Sequence, residues 1–297
     1  MLAAFDKYEV VGMGAAHGNK DLDDLVLHLL RDPTFPDKVN DVVVECGNLL
    51  HPRPLYCRRR SYNLRSAASL AQYDATDVQR VGILRNTFSF SSQNQSEASP
   101  AEKAAHVGGD PPLDWSKVKN KSEVMLDRDA TVASVMQKEV LSKHHKALML
   151  FGVFHLFHNN NRAPKGLESA VQRYERDYPG ITLVIADLIV STDSPAPGRD
   201  ELEGRMASWP VPSLVQNIRG TWLEDVDKTY FSKMVDAYLY LGPSSLMLVE
   251  PRPAEIFSNK GYMEELHRRA AIIEDTFLTD QTNPDKLSDL NFSPFLY

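Results

Sequence analysis

Tyr8-Glu9-Val10-Val11-Gly12-Met13-Gly14-Ala15-Ala16-His17-Gly18 reads as a short β-branched strand, a glycine turn and a histidine at the mouth of a helix. The helix follows at once. From Asn19 to Arg31, Leu22, Leu25, Val26, Leu29 and Leu30 recur at helical spacing on one apolar face. Asn19 suits the N-cap, and Asp21 places a negative charge in the first turn, where the helix dipole favours it. Strand, tight turn and helix in this order predict an α/β fold. His17 then lies just past the carboxyl end of a strand, where open α/β sheets bind ligands.

Two further stretches repeat the arrangement. Asn40-Asp41-Val42-Val43-Val44-Glu45 is a strand ending in a carboxylate. Lys146-Ala147-Leu148-Met149-Leu150-Phe151-Gly152-Val153-Phe154-His155 is a strand ending in Gly-x-x-His, the same tetrad as Gly14 to His17. Three apolar strands thus deliver His17, Glu45 and His155 to one edge of one sheet. A carboxylate at a hydrophobic strand end is costly to bury unless something pairs it. Ile181 to Val190 is a near-continuous apolar run, as in a strand covered on both faces. The expected fold is therefore a three-layer α/β domain, with a mostly parallel central sheet, helices on both faces and long loop insertions.

Histidine titrates near neutral pH, so His17 and His155 suit general base or metal-ligand roles. With Glu45 they would also suit a divalent transition metal with an open coordination position. Asp110 closes a short strand in His106-Val107-Gly108-Gly109-Asp110 and is a fourth candidate. Arg128 precedes a helix over Asp129 to Leu141 and could reach a substrate oxyanion, although a surface position is its ordinary reading. Asp129 reads as that helix's N-cap. His158 reads as a solvated loop residue, and His144-His145 fall at the amino end of a strand, away from the site. No P-loop, Gly-x-Ser-x-Gly elbow or complete Gly-x-Gly-x-x-Gly is present, which weakens nucleotide-binding and serine-hydrolase readings.

The net charge of −7 argues against a nucleic-acid surface, and Arg58-Arg59-Arg60 is too local to reverse that. No run of about 18 apolar residues exists to span a membrane. The cysteines, Cys46 and Cys57, are too few for a disulfide framework or a cysteine-based zinc site. The N-terminus lacks a basic segment followed by an apolar one, so the expectation is cytoplasmic, or periplasmic or secreted if a leader precedes it. The pattern reads as one domain, with a core over 8–190, an extension over 213–275 and a loosely ordered tail over 276–297. Ala237–Leu241 and Leu246–Glu250 read as short strands, Gly261–Glu274 as a helix and 191–212 as a loop.

Val11-Gly12-Met13-Gly14-Ala15-Ala16-His17-Gly18, Glu45-Cys46-Gly47-Asn48, Gly109-Asp110, Arg128-Asp129 and Gly152-Val153-Phe154-His155 together resemble the ordered motifs of the erythromycin esterase-like proteins. That group is similar to the ChaN-like haem-binding and TraB/TIKI proteins, and this chain looks most like an uncharacterised bacterial branch. The resemblance covers about residues 8 to 190. Asp236-Ala237-Tyr238-Leu239-Tyr240-Leu241-Gly242-Pro243 looks like that branch alone. The resemblance implies a hydrolase of an ester or amide bond in a small-molecule or peptide substrate. His17 would be general base, Glu45 would orient it or bind an ion, and His155 with Arg128 would stabilise an oxyanion. The alternatives it implies are haem or metal binding without turnover, or an inactive member. Esterase-like members usually carry a glutamate where this chain has Ala15.

Overall fold

The computed structural model describes residues 1–14, 19–48, 105–111, 113–123, 127–159, 168–187, 203–224, 231–248 and 260–273. Seven strands form one sheet: β1 (Val10–Gly14), β2 (Asp41–Asn48), β3 (Ala105–Asp110), β4 (Ala147–Phe151), β5 (Thr182–Ala186), β6 (Ser213–Gln216) and β7 (Ala237–Tyr240). Their order across the sheet is β3-β2-β4-β1-β5-β7-β6. Every pairing is parallel except that of β6, an edge strand led in by Pro210 and Pro212 and antiparallel to β7. The expected three-layer α/β architecture with a mostly parallel sheet is the observed one.

Strand alternation separates two cores. Val11, Met13, Val42, Val44, Leu148, Leu183 and Ile185 face α1 (Lys20–Arg31), which contributes Leu22, Val26, Leu29 and Leu30. Val10, Val43, Met149, Phe151, Val184 and Ala186 face the other way. They meet Val132, Met136 and Val140 of α3 (Arg128–Val135) and its π-helical continuation, and Tyr174 of α4 (Ala170–Tyr174). The short α2 (Phe35–Lys38) seals the α1 side with Phe35. The last described helix is α5 (Lys260–Ile273).

Connectivity places the site. The connection from β1 through α1 runs over β4 to reach β2, whereas that from β4 through α4 runs past β1 to reach β5. Neighbouring strands β1 and β4 therefore send their crossovers in opposite directions, the topology at whose carboxyl strand ends open α/β sheets bind ligands. Glycine permits the approach there. A Cβ on Gly14 would lie 3.2 Å from both Asp187 Oδ1 and Val153 Cβ.

Several local expectations hold. Asn19 caps α1, accepting from the Leu22 amide at 3.2 Å. Others are corrected. Asp127, not Asp129, caps α3, accepting from the Ala130 amide at 3.0 Å. Ser244–Leu246 is a 3-10 turn rather than the start of a strand. The 191–212 stretch contains a helical turn at 203–206, and β6 follows it. The expected helix over 66–84, the mobile stretch near 91–105 (apart from residue 105) and the tail over 276–297 lie outside the described residues.

Gly109 tests the tightness of the site's floor. A methyl there would sit 2.5 Å from Phe151 Cζ and 3.2 Å from the Val44 carbonyl. Phe151 is fully buried and cannot swing away without displacing its neighbours. Gly109→Ala is expected to lower unfolding stability by about 1–3 kcal/mol, read as an earlier urea midpoint.

Candidate active site

The described part of the site is built from the ends of β2 and β4 and the start of α3. Glu45 points to the α3 face of β2 and is 7% exposed. Its Oε2 accepts from the Gly152 amide at 2.7 Å, and its Oε1 meets Arg128 Nη2 at 3.3 Å. Gly152 begins the turn after β4, and Val153–His155 forms its 3-10 segment. One carboxylate thus ties together a strand end, the Gly-x-x-His turn and a helix N-terminus.

His155 has a carboxylate of its own. Its Nδ1 lies 2.9 Å from Asp129 Oδ1, which also accepts from the Ala170 amide at 2.8 Å. Burial disfavours the charged ring. The hydrogen bond and charge of Asp129, joined by the charge of Glu45, outweigh both burial and the opposing charge of Arg128. The imidazole is therefore held above its ordinary pKa and favours the cationic form. In its protonated form this ring, beside a guanidinium, would be a donor suited to developing negative charge.

Of the residues expected here, Glu45, Arg128 and His155 come together. Arg128 is not a detached surface residue: its charge reaches both Glu45 and His155. His17 lies outside the described residues. The backbone of Asp110 ends β3 opposite Asn48, and its side chain lies outside the described ones. His144 and His145 are at the amino end of the sheet, where His145 Nδ1 meets Asp41 Oδ2 at 2.8 Å. His158 is no solvated loop residue. It sits between Glu175 and Asp236, at 2.9 and 2.7 Å.

Asp129 and Asp187 were not expected to take part. Asp129 was obscured by the capping role that Asp127 fills. Asp187 is 7% exposed, directly follows β5 and packs over Gly14. Its signal was present, since a carboxylate ending an apolar strand is the same pattern that singled out Glu45.

The expected metal set of His17, Glu45 and His155 includes a residue outside the described ones; within them, the Glu45 oxygens meet the Gly152 amide and the Arg128 guanidinium. Among the described residues no group of three His, Cys, Asp or Glu side chains is placed to hold a metal. Nor is any described helix long and apolar enough to cross a membrane.

Fold and site geometry define a three-layer α/β protein with paired His–Asp and Glu–Arg groups where the carboxyl ends of β2 and β4 meet the start of α3. No protein-family model and no curated protein matches the chain. A crystal structure of a protein from Bacillus cereus is similar at a TM-score of 0.51 and 9% identity, over 81% of this chain and 90% of that one. That likeness concerns the fold alone.

Asp129→Asn is expected to lower the His155 pKa, measured by NMR titration of the imidazole. The stability effect has a definite sign. A folded-state pKa raised above the unfolded value of about 6.5 stabilises fully below that value, and the stabilisation fades as pH rises through the folded pKa. Asp129→Asn should therefore lower the urea midpoint more at pH 6 than at pH 9.

Proposed function

We propose that this chain hydrolyses an ester or amide bond of a small-molecule or peptide substrate at the carboxyl rim of its sheet. The observation that supports this most is the imidazole of His155, held by Asp129 within the charge field of Glu45 and Arg128. In this reading the substrate carbonyl lies at the carboxyl ends of β1 and β4. Water attacks the carbonyl carbon, and His17 takes its proton as general base. Charge that develops on the carbonyl oxygen meets the His155 imidazolium and Arg128. The tetrahedral species then collapses, the C–O or C–N bond breaks, and the leaving group receives the proton from His17. Glu45 acts through others, holding Arg128 and the Gly152 amide in place. Its contacts support this positioning role rather than that of a metal ligand. No step in this reading passes through a metal.

A panel of aryl and alkyl esters and anilides tests the proposal. The native chain should hydrolyse at least one member, and dialysis against a chelator should leave that rate unchanged. His155→Ala and Arg128→Ala should each lower kcat by about 10²–10³, the usual effect of removing one oxyanion donor. His17→Ala should lower kcat/KM by about 10²–10⁴, as expected for loss of a general base. Equal rates in the native chain and His155→Ala would overturn the assignment. Absence of turnover, together with a haemin Soret shift lost in His155→Ala, would replace it with the haem-binding reading.

A further inference from the structure

The turn that carries His155 ends three residues later at a second charged cluster, which the proposed chemistry does not use. His158 Nδ1 is 2.9 Å from Glu175 Oε2, just past α4, and its Nε2 is 2.7 Å from Asp236 Oδ2, just ahead of β7. Its backbone amide donates to the Met234 carbonyl at 3.0 Å. The carboxylates are themselves fixed. Glu175 Oε1 accepts from the Thr182 amide at 3.1 Å, and Asp236 Oδ2 accepts from the Val184 amide at 2.8 Å. Asp236 also donates its own amide to the Val184 carbonyl at 2.9 Å.

An imidazole that meets a carboxylate at each nitrogen can satisfy both only when both nitrogens carry protons. The ring is 22% exposed, so water cannot fully take over either contact. The cation is accordingly the form this cluster selects. Among the described residues the neighbouring elements bring the carboxylates of Glu175 and Asp236 to the ring, and Lys7 interacts with Asp236 from the amino-terminal segment. Three stretches of chain meet at the ring: the turn after β4, the α4–β5 connection and the lead into β7.

We propose that His158 is a positioning residue for His155: clamped as a cation between Glu175 and Asp236, it anchors the far end of the turn whose near end Glu45 holds. The inference rests on the reading of His155 as a site residue. It has a pH signature. Burial lowers the proton affinity of His158, but the hydrogen bonds and charges of Asp236 and Glu175 outweigh it and set the pKa to about 9. The clamp is thus intact at neutral pH and opens as pH rises through that value.

Imidazole ¹H–¹³C spectra of the histidine-labelled full chain test this without needing a substrate. The His158 ring should titrate near pH 9, and the His155 ring should show a second shift change at the same pH. In His158→Gln that second change should vanish while unfolding stays cooperative. Glu175→Gln removes one acceptor and should move the His158 titration, and the coupled change at His155, to lower pH by about one unit. If the His155 signals ignore His158 in both variants, His158 only braces the fold and the proposal is overturned. It is likewise overturned if His158 titrates in its ordinary range. If His158→Gln does not fold, Glu175→Gln alone decides by the same comparison. Where an ester substrate is in hand, kcat of the native chain should fall above pH 9 with KM unchanged, and this limb should move down in Glu175→Gln. Failure of the hydrolase reading would remove the rate assay and leave the spectra intact, so the two outcomes remain distinguishable.

Discussion

A carboxylate at the end of an apolar strand has to be compensated, and the compensation of Glu45 organises this end of the molecule. Leaving a buried charge unpaired would cost several kcal/mol. The Gly152 amide and the Arg128 guanidinium meet that demand from two other elements. Because the amide belongs to the turn after β4, the electrostatics of β2 set where the next turn begins. Arg128 stands at the first position of α3, which Asp127 caps, so the same pairing ties that helix start to β2. Asp129, the next residue, is thereby delivered to His155.

Each partly buried histidine on the β4 turn has acidic partners, but the two differ. His155 meets one carboxylate oxygen through one nitrogen, whereas His158 meets two acids through both. Among the described residues, the first arrangement engages a carboxylate through Nδ1 alone. The second engages both nitrogens in bracing. Spacing of three residues along one turn thus separates a singly paired ring from a doubly paired one.

The fold was legible in the sequence because its strands are covered on both faces. Val42-Val43-Val44 and Leu183-Val184-Ile185 announce themselves as unbroken apolar runs, and α1 declares its period through Leu22, Val26 and Leu29. β6 escaped notice because an edge strand of Ser213–Gln216 buries little and shows no such run. In the candidate site, Glu45 and His155 were visible as polar residues closing apolar stretches. Asp129, Glu175 and Asp236 were not, because each is drawn to its histidine by tertiary packing. Asp129 lies 26 positions from His155, and Asp236 lies 78 from His158. No local period encodes such separations. Two aspartates two positions apart, Asp127 and Asp129, could each have capped α3, and only the packed structure divides the roles between them.

The edge formed by β6 bears on how copies of this chain meet one another. An open strand edge is a template on which a second chain can add its own strand. Here the template is only four residues long, and Pro210 and Pro212 on its approach contribute no N–H groups. A stray strand would find few donors in register and little length over which to pair. Among the described residues, this end of the sheet therefore offers a poor template for a second strand.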